Sequence, residues 1–487
     1  MNILAPKNIV VTSIVVSFFL SGCHSLKAPS KPDDLWEVPG WEKSSKDFDS
    51  VWWDIQNRKE TFDSSRSLTL IELIDMALVN NPSTREAWHA ARAKQAVKAQ
   101  AMSEWYPLVT FTADLTRDRK TAHPAGGSSN TRSYGGNLNG SLVVLDFGGR
   151  AASLSSAYHN VLAANFDFNQ AVQDLILEVE SAYYNFYTAE ASLEAAEDNV
   201  EDAKAAYDAA EERLQVGIAT RLDSLQAKSN YDESLFEMEE AKGTLETARA
   251  DLAEALGLPA DTKFRVAPPS WKIPQCLSEE DISRLIEDAL SRRPDIASSR
   301  ATLKAKAASV RDKFSDLLPS LSVGGAATRD FTDTFGAGSK TSSRYHEYSG
   351  LLKVTWDAFD GFKNYAEMVE AREAAKQQEK QLMMDELAAS SDVWTKYYTF
   401  KTAVCKHDFS KAFLASSEES YDLALESYRA GLKSILDLLN AQSDLSDARS
   451  KLIQSKNDLL VALAELAHST GSLSREGSAK FLVPEDN

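Results

Sequence analysis

The sequence predicts an α+β chain in which one supersecondary unit, made of a helix, a β-hairpin and a long helical hairpin, occurs twice. Three observations predict it. "NNP" ending at Pro82 and "YP" at Pro107 are answered 212 residues later by "RRP" ending at Pro294 and "LP" at Pro319. Two stretches carry a sustained apolar seam of alternating four and three residue steps. Four runs alternate apolar and polar residues. One duplication of roughly 190 residues reads as two copies of a unit rather than a solenoid array.

Lys7 precedes an apolar run from Ile9 to Leu20, and "LSGC" closes it at Cys23. The run is shorter than the ~20 apolar residues a spanning helix needs, so residues 1–22 read as a signal peptide. "FFLSGC" is similar to the bacterial lipobox, which makes Cys23 the lipidated (palmitate-type) first residue of the mature chain. Residues 23–67 form an N-terminal segment before the first repeat.

The first repeat covers 68–257, with strands at about 107–118 and 134–147. Val109, Phe111, Ala113 and Leu115 alternate with Thr110, Thr112, Asp114 and Thr116; Leu138, Leu142 and Val144 alternate with Asn137, Asn139 and Ser141. Each run is about ten residues, the length of a transmembrane β-strand. A long helical hairpin follows at 150–257, with its tip at 217–222. Its seam starts at Phe168, Val172, Leu175, Val179, Ala182 and Phe186 and continues to Leu214. From Arg150 to Leu214 a continuous helix would be about 98 Å long at 1.5 Å per residue. Many seam positions are alanine, which lets axes approach closely while the opposite faces stay polar. That suits the wall of a hollow cylinder.

Four prolines between Pro259 and Pro274 mark a linker, 258–281. The second repeat, 282–471, has strands at about 319–330 and 345–359 and a helical hairpin at 362–471 with its tip at 431–436. Its returning helix carries the seam Leu438, Ala441, Leu445, Ala448 and Leu452. A tail, 472–487, closes the chain. The corner "VGIATRLD", Val216–Asp223, reappears as "AGLKSILD", Ala430–Asp437. Gly217 and Gly431 supply the positive φ that ends a helix cheaply.

A net charge of -19 argues against a nucleic-acid partner. Beyond Cys23 only Cys276 and Cys405 remain, without metal spacing, and free thiols are expected. No enzyme is indicated and no cofactor is implied. "DFG" at Asp146–Gly148 lacks every companion kinase motif, and the seven histidines are scattered without "HExxH". The sparse, unclustered methionines disfavour a copper or silver duct. Four strands cannot close a membrane barrel, which needs about eight, so membrane-embedded strands would require oligomerisation.

The duplicated order of elements behind a lipobox resembles the TolC family of bacterial outer-membrane efflux proteins. The likeness covers about Leu68 to Gly471 and is most specific at the two corners and at "NNP" and "RRP". It implies a homotrimer: a twelve-stranded β-barrel among outer-membrane lipids, continuous with a periplasmic α-helical barrel and girdled by the N-terminal segment, the linker and the tail. The implied function is the exit duct of a tripartite efflux or type I secretion system. Its implied partners are a periplasmic adaptor and an inner-membrane pump of RND or ABC type. The tips, with Gly217, Arg221, Leu222, Gly431 and Leu436, would receive the adaptor. Asp437 matches an acidic gate position facing the pore, whereas the second acidic position is Asn440 here. Asp223, Tyr428 and Lys433 match positions whose contacts between neighbouring tips hold the closed state. Asp437 also stands in the first turn of the returning helix, where an acid favours the helix dipole. A non-channel coiled-coil lipoprotein of the outer membrane would explain the helices and the lipid but leave the amphipathic strands unexplained.

Overall fold

The computed structural model describes residues 67–121, 128–268, 281–336 and 339–475. The signal peptide, Cys23, the segment to residue 66, half of the linker with Cys276, both hairpin loops and the end of the tail lie outside the described residues.

The elements in order are β1 (Ser67–Leu68), α1 (Leu70–Asn80), α2 (Pro82–Ser103), β2 (Leu108–Thr121), β3 (Ser128–Leu145), α3 (Gly149–Gln215), α4 (Arg221–Ala255), β4 (Arg265–Val266), α5 (Asp281–Arg292), α6 (Pro294–Ser315), β5 (Ser320–Gly336), β6 (Ser339–Thr355), α7 (Lys363–Arg429) and α8 (Ile435–Ser469). The duplication is visible in the lengths. The helices α2 and α6 have 22 residues each, α3 and α7 have 67, and α4 and α8 have 35. The chain divides into two compact units.

One unit holds residues 90–164 and 298–382. Its centre is a four-stranded antiparallel sheet in the order β2-β3-β5-β6. Directly paired residues share a face, so Phe111, Leu138, Ala327 and Tyr348 form one apolar row, and Thr112, Asn137, Thr328 and Glu347 the next row on the opposite, polar face. The strands are longer than the alternation indicates: 14, 18, 17 and 17 residues. The far ends of β2 and β3, where Arg117 pairs with Arg132 and Thr121 with Ser128, keep the ladder while losing the apolar half of the pattern. At the near end the expected strand residue Phe147 leaves the sheet with φ 51°, followed by Gly148 at 96°. In the second repeat Gly361 and Phe362 turn the same way, with φ of 74° and 68°. The "DFG" triplet is structural: Asp146 Oδ2 accepts from the Arg150 backbone N–H at 2.7 Å and so caps α3. Asp360 caps α7 in the same way through the Asn364 N–H at 2.8 Å.

The other unit holds the remaining described residues. Two cores sit in corresponding places of the repeats. One gathers Leu73, Ile74, Leu175, Val179, Tyr184 and Leu252; the other gathers Ile282, Tyr397, Phe400, Leu459, Leu463 and Leu466. The landmark prolines follow helix-end locks. Asn81 Nδ2 donates to the Ala255 carbonyl at 3.0 Å, and Arg293 Nη1 to the Ser469 carbonyl at 3.1 Å, each closing the C-terminus of a returning helix. Near the tips the core takes Ala210 of the seam together with Ala206, Ala209 and Ala227, which the seam does not include, packed against Tyr421, Tyr428 and Leu438.

Candidate functional site: the paired helical tips

Both corners use one construction. At the end of α3 the Ile218 N–H bonds the Arg213 carbonyl at 3.0 Å and the Gly217 N–H bonds the Leu214 carbonyl at 3.0 Å, with Gly217 at φ 80°. At the end of α7 the Leu432 N–H bonds the Ser427 carbonyl at 2.8 Å and the Gly431 N–H bonds the Tyr428 carbonyl at 2.9 Å, with Gly431 at φ 79°. These are Schellman closures, which glycine makes without a Cβ penalty.

The next helix starts on a capping box. The Thr220 N–H donates to Asp223 Oδ2 at 2.9 Å and the Asp223 N–H to Thr220 Oγ1 at 3.3 Å. In the second tip Ser434 and Asp437 repeat the exchange at 3.0 and 3.2 Å, and the Ser434 hydroxyl adds a bond at 2.8 Å. That hydroxyl, then the Ser434 N–H, holds the Asp437 carboxyl below its usual range. The tips are therefore shorter than the spans 217–222 and 431–436, because Arg221, Leu222, Ile435 and Leu436 already lie in helices. A capping box recruits its third residue into the first turn, which explains the difference.

Asp223 and Asp437 are thus both engaged within their own helices. Asn440, one turn beyond Asp437, is exposed on α8, as are Lys433 at the tip and Arg221 on α4. Lys433 makes no ion pair among the described residues, while Asp223 lies close enough to Tyr428 for its charge to add to the rise that burial causes in the Tyr428 pKa. Val216, Ile218, Leu222, Leu432 and Leu436 present apolar side chains to solvent at the two corners.

The residue that joins the hairpins is Arg213, which the repeat pattern does not single out. Its guanidinium lies over the Tyr428 ring at 4.5 Å, donates to the Tyr428 carbonyl, and borders Gly431, whose absent Cβ would stand 3.6 Å from Nη2. A cation there also faces the C-terminal dipole of α7. Tyr428 is buried, its hydroxyl has no hydrogen-bond partner among the described residues, and burial raises its pKa. Further along, Arg449 of α8 donates to Asp202 at 2.8 Å and Asn199 at 2.7 Å on α3. Burial raises the Asp202 pKa in spite of that arginine.

A family model described as "Outer membrane efflux protein" matches residues 73–258 and 285–472, both repeats almost end to end. The chain belongs to that family. Among its relatives, CyaE of Bordetella pertussis is 27% identical over 349 residues, covering 71% of this chain and 72% of that protein. The antibiotic efflux pump outer membrane protein ArpC of Pseudomonas putida is 26% identical over 344 residues, covering 69% and 67%. The outer-membrane channel OprN superposes with a TM-score of 0.72 at 22% identity, covering 85% of this chain and 94% of that one. The fold is that of the TolC-like outer-membrane channels, and the function of this outer membrane efflux protein is that of an export channel in the outer membrane. The relatives are channel and efflux proteins rather than enzymes.

Proposed function

We propose that three copies of the chain form the exit duct of a tripartite efflux or secretion assembly, lipid-anchored at Cys23, with the helical tips docked on a periplasmic adaptor beneath an inner-membrane pump. The open sheet carries this reading. The edge strands β2 and β6 are exposed along 14 and 17 residues, and β6 turns Tyr348, Leu352 and Val354 outward. Unpaired backbone edges are untenable in lipid, and closure with further copies removes them. A non-channel coiled coil gives that sheet no role.

Single-channel recording of the protein extracted from membranes, with heat-modified gel mobility of the oligomer, tests the duct. Discrete conductance steps are expected; a monomer without conductance would overturn it. Topology is checked separately by cysteine labelling in whole cells. Gly127→Cys should label from outside and Ile218→Cys should not, and the reverse pattern would refute the arrangement.

Asp437 is the proposed gate acid, one ring where Asn440 removes a second. Its carboxyl is fully exposed in the chain and already bonded as a cap, so both roles fall on one side chain. Because its folded pKa is lowered by these bonds, the cap contributes stability above the unfolded pKa and loses it as pH falls through the folded value. At neutral pH the carboxylate is charged and available to cations. Asp437→Asn should weaken divalent-cation block severalfold, while Asp223→Asn, the same cap in the other tip, should leave block unchanged. Equal effects of both would mean that capping alone is at work.

A further inference from the structure

We propose that the far end of the sheet's apolar face binds the phosphate groups of a phosphorylated glycolipid in the outer leaflet; this rests on the outer-membrane reading above. The sheet sorts its charges by face. On the apolar face stand Arg117, Arg119, Arg132, Arg329, Lys340 and Arg344, opposed by the single carboxylate Asp333. The polar face carries Asp114, Asp118, Asp330 and Glu347, with Lys120 and Lys353 as its cations. A chain of net charge -19 has thus concentrated cations on the surface that meets lipid.

Their level fits a headgroup. Along β6, Val354 to Arg344 is ten residues, which at about 3.3 Å per residue and a tilt near 40° span roughly 25 Å, the height of a barrel's apolar band. The row at that height is aromatic and cationic together. Tyr134 stacks on Phe331 at 5.1 Å, and Arg329 and Arg344 lie 5.1 and 5.5 Å from the Phe331 ring centroid. Aromatic rings mark a membrane interface, and arginine reaches past them to the phosphate level.

The arginines lack carboxylate partners among the described residues. Arg117 stands directly opposite Arg132, an arrangement of like charges that destabilises a strand pair. Asp333, the cross-strand neighbour of Arg132, is held instead by Lys340 at 3.2 Å and the Ser342 hydroxyl at 2.6 Å. Among the described residues, none of the five arginines is paired with a carboxylate. A bridging anion relieves the repulsion between Arg117 and Arg132, and the guanidinium fork matches a phosphate monoester in bidentate fashion.

The test is native mass spectrometry of the detergent-purified full-length oligomer titrated with bisphosphorylated lipid A. The triple variant Arg117→Gln, Arg132→Gln, Arg344→Gln should bind at least ~10-fold more weakly, in line with the loss of charge-assisted bonds. The polar-face control, Lys120→Gln with Lys353→Gln, should bind as the unaltered chain does. Removing both phosphates from the lipid should erase the difference. If the triple variant fails to assemble, Arg117→Lys with Arg132→Lys, which keeps charge without the fork, should still weaken binding severalfold. Equal binding by the unaltered chain and the arginine variants would overturn the proposal. So would equal competition by phosphatidylglycerol, which would reduce the patch to nonspecific attraction. Channel conductance of the same preparations separates the two readings: a conducting protein indifferent to lipid A refutes this site alone, and a non-conducting one refutes the duct.

Discussion

Gly257→Ala should destabilise the protein by about 2–5 kcal/mol, roughly twice the effect of the same change at Gly217. Both glycines have positive φ, 69° and 80°, a conformation that costs an L-residue about 1–2 kcal/mol. Their surroundings differ. A Cβ at Gly217 meets nothing within 4 Å, whereas at Gly257 it would stand 2.8 Å from the Asn80 carbonyl carbon and the Asn81 nitrogen. Those atoms are backbone, fixed by the Asn81 side chain that closes α4, and cannot swing aside. Overpacking of this kind adds about 1–3 kcal/mol. Gly471 should behave like Gly257, since its Cβ would lie 3.0 Å from the Arg293 nitrogen. Thermal transitions of the detergent-purified variants, with limited proteolysis of the helical unit, give the measurement. Similar transitions for the Gly217 and Gly257 variants would show that close helix approach plays no part.

The duplication, the tips and the helical seams are legible in the sequence because each rests on local chemistry. A glycine followed three residues later by Thr or Ser, and three further on by Asp, spells a helix end and a new cap in both halves. Strand ends are not legible in this way. From Arg117 onward the apolar-face positions of β2 hold Arg117, Arg119 and Thr121, so period two no longer signals a ladder that still runs to Thr121. The roles of Asn81 and Arg293 are likewise hidden, because the carbonyls they close, at Ala255 and Ser469, are 174 and 176 residues away. The prolines after them are visible, and they mark the place without giving the reason. Arg213 escapes because it resembles any basic residue in the last turn of a helix. Only the packing of α3 against the end of α7 reveals its partner.

Arg213→Ala should raise the open conductance of the duct about tenfold. Its guanidinium ties the C-terminal ends of the two outgoing helices through the Tyr428 ring at 4.5 Å and the Tyr428 carbonyl. A partly desolvated cation–π contact with a charged hydrogen bond amounts to about 1–3 kcal/mol, and 1.4 kcal/mol is a factor of about ten in an equilibrium. Opening a tip that moves one hairpin against the other must break this tie. Among the described residues two polar atoms there are buried and unpartnered, Arg213 Nε and Tyr428 Oη, so this arrangement leaves hydrogen bonds unmade that a second arrangement could satisfy. Arg213→Lys should fall between the two, since it keeps the charge but loses the planar face. Arg221→Ala, an exposed cation at the rim, should leave conductance unchanged. Lys433→Ala supplies the contrast, because Lys433 makes no ion pair among the described residues and, under the proposed trimer, would act on the gate through a neighbouring copy. Planar-bilayer recording of all four variants decides between the two. A rise with Lys433→Ala and none with Arg213→Ala would assign the closed state to contacts between chains and leave Arg213 a packing role.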